Sequence, residues 1–446
     1  MSFEQSDRFH YREKITGFND ASQLKRPLWM LLSEAGKRVA VINVPLSYPP
    51  QAVNGVMVTG MMTPPNAREF TFPPELAEKL AGYRIDVDFV REGESFRRYG
   101  LPPKEEMLAE IEAVSQQRTA ACEQLLQQES WDFFMVVYTG TDRISHFFWD
   151  DLKPLWGKRP LSETDTTPHL AQLLSYFQKL DEAIGKLVDL AGPQAHLLFM
   201  SDHGFGQAPT KRFAVNLWLE KQQLLTAQAP KNVGSLAFWR MKVGRNPLLK
   251  RLARRLVSQR TQDRLAEKAS EGSGGSGIDW SKSYAFFVPI YFNVCGIELN
   301  RVGQHREGIV ASDETYEWLR TKIIEAARQL VDPETDEPIV NLAARREELF
   351  EGPFVAEFPD VVLVLKPAYV GGQSVAASQL VEPHVPFRSG EHLPDGIFAA
   401  AGPCIQQLAD LPGLHLMDVS ATVLYLLDVP VPDDFDGRIL QELIDP

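Results

Sequence analysis

Cysteine is scarce in this chain of 446 residues: Cys122, Cys295 and Cys404 stand far apart, with no CxxC pair among them. That spacing excludes a cysteine-rich zinc module and a disulfide-dense scaffold, and it suits a reducing compartment. No uninterrupted apolar run reaches the roughly 18 residues a transmembrane helix needs. The N-terminus, MSFEQSDRFHYREKITGFND, is charged and aromatic and has no apolar signal core, so the default expectation is a cytoplasmic location. Positive charge is also short. There are 46 Lys and Arg against 59 Asp and Glu, a net charge of −13, and such a surface is not expected to bind nucleic acid specifically. No internal repeat is present. The length is sufficient for a large core, arranged as two lobes or as one domain with an insertion.

What is present is an alternation of helical and strand patterns. RPLWMLLSEAGK reads as a short amphipathic helix closed by Gly36, and RVAVINVP as a buried strand stopped by Pro45. Apolar residues recur at spacings of three and four between Lys104 and Ser130, which predicts a long helix. WDFFMVVY is an apolar run of strand length. HLAQLLSYFQKLDEAIGKLVDLAG is a helix ending at Gly192, and AHLLFMSDHG is a strand that runs into a glycine turn. This order predicts an α/β fold, a parallel sheet flanked by helices on both faces.

The pattern changes over residues 206–350, which read as an inserted cap between a first core segment, 1–205, and a last one, 351–446. NLWLEKQQLL is helical, SYAFFVPIYFNVCGIELN makes one or two strands, and DETYEWLRTKIIEAARQLV makes a helix. EGSGGSG, at 271–277, is a flexible linker that resembles an engineered loop replacement as much as a natural segment. The last segment carries strands DVVLVL and GIFAAAGP and helix DVSATVLYLLD. Within the cap, Arg240, Lys242, Arg245, Lys250, Arg251, Arg254, Arg255, Arg260, Arg264 and Lys268 face only Asp263 and Glu267. This basic stretch could draw an anionic substrate or an acidic membrane surface. The plainer reading is a solvated helix face with Leu248, Leu249, Leu252, Leu256 and Leu265 packed inward.

Three junctions between apolar runs and loops carry metal-type ligands. In TDRISHFFW, Asp142 and His146 are four apart, one helical turn on one face if a helix begins there. Phe147, Phe148 and Trp149 behind them are expected to anchor that helix by packing. In SDHGFG, Asp202 and His203 follow an apolar strand, and Gly204 and Gly206 permit a tight turn. In SGEHLPDGIFAAAGP, His392 stands immediately before a strand. Ligands gather outside the carboxyl ends of strands in open parallel sheets, so the first two pairs converge if their strands are neighbours. Two Asp and three His suit zinc, with manganese as the alternative, rather than calcium or an iron–sulfur cluster. Five ligands are too many for one tetrahedral zinc with an open position, so two divalent ions are the better count. Taken singly, each feature has a bland reading: a helix-surface pair, a turn with a satisfied histidine, a loop histidine. Their combination favours the metal site. His10, His169, His196, His305, His384 and His415 lack a strand-end acidic partner and read as surface or loop residues.

These motifs resemble those of the type I phosphodiesterase/nucleotide pyrophosphatase family, within the alkaline phosphatase superfamily. The similarity continues in LWMLLSEAGKRVAVINVPLSYPPQAVNGVMVTGMMTP, in YFNVCGIELN and REGIV, and in DVSATVLYLLDVPVPDDFDGRIL, nearly the whole chain outside 206–280. The resemblance implies an alkaline-phosphatase-like α/β fold and a phosphoric-ester hydrolase acting on a small phosphoester. It implies one metal ion on Asp142, His146 and His392 and another on Asp202 and His203. Family members also use an aspartate at the end of the first strand and a Thr or Ser nucleophile at a helix start. Here only residues 1–27 precede LWMLLSEAGK, and Ser6, Asp7, Thr16 and Asp20 follow no apolar strand. The catalytic nucleophile is therefore unassigned, and the sequence is expected to be N-terminally truncated or mis-started and to turn over phosphodiesters poorly. No cysteine lies in a Cys-x-Pro-x-Arg context, which counts against a sulfatase. Two classes remain, a metal-dependent phosphoric-ester hydrolase and a non-catalytic relative that keeps the fold and part of the metal site. Substrate and oligomeric state are open.

Overall fold

A computed structural model describes residues 2–7, 12–17, 26–80, 82–91, 101–156, 167–228, 277–408, 411 and 413–444. The basic stretch 238–268 and, Gly277 apart, the Gly/Ser linker lie outside the described residues. The chain divides into two compact units, Gly17–Gly206 with Arg388–Pro446, and Ser2–Thr16 with Gln207–Phe387. Near the N-terminus, β1 (Ser2–Asp7) and β2 (Arg12–Gly17) pair with each other.

The first unit is built on a strand that is apolar on both faces. Helix α1 (Leu28–Glu34) turns at Gly36, whose φ is +80°, into β3 (Val39–Val44). β4 (Gly55–Thr59) pairs parallel with one edge of β3, and β5 (Thr71–Phe72) adds antiparallel to β4. After the one-turn helices α2 (Leu76–Lys79) and α3 (Asp88–Arg91) comes the long α4 (Lys104–Gln128). It leads to β6 (Phe133–Val136), parallel to the other edge of β3. Successive side chains of a strand point to opposite faces. Val39 and Val41 accordingly join the α1 residues Trp29, Leu31 and Leu32, while Ala40 and Ile42 join the α4 residues Ala121, Cys122 and Leu125. Val39, Val41 and Ile42 are each fully buried, a contribution of about 1.5–3 kcal/mol apiece. The expected parallel sheet with helices on both faces is thus present.

One strand departs from that expectation. Beyond α5 (Gly140–Leu152) and α6 (Leu170–Ala191), β7 (Leu197–Met200) does not extend the parallel ladder. The matching apolar edge from the C-terminal segment takes it instead, antiparallel, with Phe398 opposite Met200 and Ala401 opposite Leu197. β8 (Gly204–Gln207) follows after a tight turn.

In the second unit, β9 (Lys211–Ala214) runs directly into α7 (Val215–Lys221). SYAFFVPIYFNVCGIELN becomes the antiparallel pair β10 (Ala285–Tyr291) and β11 (Val294–Leu299). Helix α8 (Asp313–Arg328) starts at Ser312, whose hydroxyl accepts from Thr315 N, with Asp313 and Glu314 in its first turn and Arg328 in its last. Cap and charges all favour that helix. Then come β12 (Val340–Arg345), α9 (Arg346–Leu349), β13 (Val361–Leu365), β14 (Tyr369–Gly372) and β15 (Val381–Pro383). DVVLVL, expected in the last core segment, is β13, and it pairs between β11 and β12. Those two ladders hold it in the second unit, so the return to the first unit falls at residue 388 rather than at 351.

The C-terminal segment supplies β16 (Gly390–Leu393), β17 (Phe398–Ala401) and α10 (Leu416–Leu426). β16 pairs with β8, and α10 returns Val419, Val423 and Leu424 to the core that contains Val39 and Val41. His392 therefore lies within a strand, not ahead of one. Among the described residues no helix is long and apolar enough to cross a membrane.

Candidate metal centre

The site starts where β6 ends. Val137 N still donates to Ile42 O, Thr139 turns the chain, and α5 begins at Gly140. Asp142 sits in the first turn, where the helix dipole favours a carboxylate. His146 follows one turn later on the same face and is buried. Phe147, Phe148 and Trp149 pack beneath as expected, and the helix kinks at Phe148, with φ −122° and ψ 16°. Pairing of β8 with β16 brings the neighbouring His203 against His392, their rings stacked with centroids 3.7 Å apart. The ring of Phe205 stands edge-on to both His146 and His392, at 4.8 and 5.0 Å.

Asp142 Oδ1 is the hub of the site. It lies 3.4 Å from His392 Nε2, 3.5 Å from His146 Nε2 and 3.8 Å from His203 Nε2. His146 Nε2 and His392 Nε2 are 2.9 Å apart. The ligand atoms of Asp142, His146 and His392 all lie within 4.8 Å of one another. Ligands at about 2.0–2.1 Å from a tetrahedral zinc are separated by about 3.3–3.4 Å, so the Asp142 distances have the right scale. Asp202 reaches this group only through His203, at 3.5 Å, and its side chain is 72% exposed. All five sequence-predicted ligands are therefore neighbours, but three form the compact set and two sit at its margin.

The protonation states suit a cation. His146 Nδ1 donates to Gly390 O at 3.0 Å, which puts the acceptor electron pair on Nε2, the nitrogen that faces the cluster. Burial first, with the charge of Arg388 adding to it, outweighs the attraction of Asp142 and pushes His146 down to about 3, so the ring is neutral near pH 7. Burial pushes the Asp142 carboxyl up, but the His392 hydrogen bond and the charge of Arg143 outweigh it and hold the group at about 2. A neutral imidazole and an ionised carboxylate are the forms that bind metal. One group opposes a cation: Arg388 Nη1 donates to the same His146 Nε2 at 2.9 Å, while its Nη2 is held by Glu391 Oε2 at 3.1 Å.

Sequence reasoning missed Arg388, which carries no motif signal, and Arg143, although it stands inside TDRISH. It also missed Asp86, which pairs with Arg143. Of the histidines read as surface or loop residues, His305 is buried, in contact with the ring of Phe286. The strand β11 and its following turn enclose it because Arg301 N and O both bond to His305. His169 is mostly buried too, between Asp151 and Glu105 at 3.2 and 3.0 Å. His10 lies outside the described residues.

Residues 3–292 match the family model described as type I phosphodiesterase / nucleotide pyrophosphatase. The chain belongs to that family. The match stops well short of His392, whose place in the site rests on the geometry alone. No curated protein matches the chain. Among solved structures it is similar to phosphonoacetate hydrolase from Sinorhizobium meliloti 1021 in complex with phosphonoformate, at 13% identity over 94% of this chain and 77% of that one, with a TM-score of 0.46. The same enzyme in complex with phosphonoacetate gives 14% identity, the same coverage and a TM-score of 0.42.

Proposed function

We propose that this member of the type I phosphodiesterase / nucleotide pyrophosphatase family is a metal-dependent phosphoric-ester hydrolase acting on a small phosphoester. The observation that carries the reading is the convergence of Asp142 Oδ1, His146 Nε2 and His392 Nε2 within 4.8 Å. Two imidazoles and a carboxylate are a catalytic zinc set, with manganese as the alternative. Asp202 and His203, 3.5 Å apart, would hold a second ion. Divalent ions at such a site polarise a phosphoryl oxygen and neutralise the charge that builds up during displacement. The chain's own contributions are to orient the imidazoles, through Gly390 O on His146 and the ring of Phe205, and to shield one side of the cluster with buried aromatics. No residue is assigned as nucleophile.

The test is metal content by elemental analysis together with hydrolysis of bis(p-nitrophenyl) phosphate by the full chain. Stoichiometric Zn²⁺ or Mn²⁺ with turnover, both lost in Asp142→Ala, supports the hydrolase. A second reading, a metal-binding relative without turnover, is favoured by the exposure of Asp202 and the small ligand count at its side. Bound metal with no hydrolysis of any phosphodiester would select it. A chain that takes up neither metal excludes both.

A further inference from the structure

The two oxygens of Asp142 have different partners. Oδ1 faces the three imidazoles, whereas Oδ2 accepts from Arg143 Nη1 at 2.6 Å. The remaining nitrogens of Arg143 close on Asp86: Nε donates to Oδ1 at 3.2 Å and Nη2 donates to Oδ2. Nη2 also lies 3.1 Å from Met61 Sδ. Asp86 is itself fixed, accepting from Val87 N at 2.8 Å and from Thr139 Oγ1 at 3.4 Å. Arg118 braces the far side, donating to Thr139 Oγ1 at 3.3 Å and to Ile85 O at 2.7 Å.

Burying a carboxylate and a guanidinium together is costly, and it rarely improves stability over apolar packing. Asp86, 1% exposed, bears that cost without touching the ligand cluster. Its effect there is electrostatic and geometric. An arginine paired with Asp142 alone would cancel the charge a cation needs. With Asp86 neutralising Arg143, the trio keeps one net negative charge, and Arg143 becomes a rigid fork with a single nitrogen left for Oδ2.

We propose that Asp86 and Arg143 are positioning residues that clamp Asp142 so that one oxygen, Oδ1, and its charge are presented to a divalent cation. The proposal rests on the reading of Asp142, His146 and His392 as a metal site. It predicts that loosening the clamp alters metal binding without removing any ligand. Co²⁺ is a suitable probe, because its visible absorption reports ligand number and geometry. In Asp86→Asn, Arg143 is released toward Asp142, and Co²⁺ affinity of the full chain is expected to fall about 10–100-fold with altered absorption bands. Arg143→Lys, whose single ammonium cannot bridge both carboxylates, is expected to shift both readouts in the same direction. Replacing Arg143 alone strands Asp86 and could unfold the chain, so Asp86→Asn combined with Arg143→Gln is the companion variant, with melting of the metal-free forms as the folding check. Because Asp86 acts through Arg143, the double variant, which removes the released guanidinium, is expected to lose no more affinity than Asp86→Asn does. If the unsubstituted chain binds no Co²⁺, the metal reading falls and the clamp with it. If that chain binds Co²⁺ while folded variants keep its affinity and bands, or the two losses simply add, the clamp alone is overturned.

Discussion

Arg388 Nη1 lies 2.9 Å from His146 Nε2, on the electron pair that a metal ion at this site requires. A guanidinium and a divalent cation cannot both take it, and their like charges repel. Removing the arginine while keeping its stem, in Arg388→Met, is expected to tighten Zn²⁺ binding about tenfold, roughly 1.4 kcal/mol. Competition titration against a chelator measures this; weaker binding in the variant would contradict it.

Metal binding to the folded chain alone adds stability by mass action. Zn²⁺ at a hundredfold excess over its Kd is expected to stabilise the first unit by about 2.7 kcal/mol. His392→Ala removes one of the three converging side chains, and its melting temperature is expected to be insensitive to Zn²⁺. Calorimetry with and without chelator reads both; an equal metal-induced rise in the variant would exclude His392 as a ligand.

Gly390 carries the carbonyl that orients His146, and it packs so closely that a Cβ there would stand 2.0 Å from Ser145 O. Gly390→Ala must push β16 away from α5, and the expected cost is about 1–3 kcal/mol. Gly185, within α6, meets nothing within 4 Å. Gly185→Ala is expected to stabilise by about 0.5–1 kcal/mol through helix propensity. Denaturant titration of the pair decides, and similar effects from both would show that the tight contact is absent.

Phe148 is fully buried at the kink of α5, within the cluster that holds Leu173 and Tyr176 of α6. Phe148→Ala is expected to cost about 3–5 kcal/mol. Urea unfolding followed by fluorescence checks it; a loss below about 1 kcal/mol would mean the site collapses freely around the missing ring.

Acid sensitivity of the second unit is expected to run through Asp332. Burial pushes its carboxyl up, but hydrogen bonds from Lys211, Glu334 N and Tyr369, with the Lys211 charge, outweigh burial and hold it below the usual carboxylate range. A group lowered in the folded state contributes stability that is complete above its unfolded pKa, about 3.9, and is lost as pH falls through the folded value. Asp332→Asn is expected to lower stability at pH 7 by on the order of 1–3 kcal/mol and to flatten the acid limb below pH 4. Urea midpoints at a series of pH values measure it, and an unchanged acid limb would place the sensitivity elsewhere.

Much of this protein was determined by local pattern. The apolar run at Val39–Val44, the periodicity from Lys104 to Gln128 and the four-residue spacing of Asp142 and His146 each depend on backbone geometry within a few turns, and each appears as read. Strand pairing is a different matter. Hydrogen bonds across a ladder join residues that no period links, so only the tertiary structure decided that β7 pairs with β17 and that β13 stays in the second unit. The same holds for the centre of the site. Chemistry and spacing singled out five candidate ligands, but the fold alone set His392 Nε2 beside His146 Nε2, 246 positions earlier, and placed Asp86 behind Arg143, 57 positions along the chain. Residue type decides what a side chain can bind; packing of distant segments decides which atoms face it.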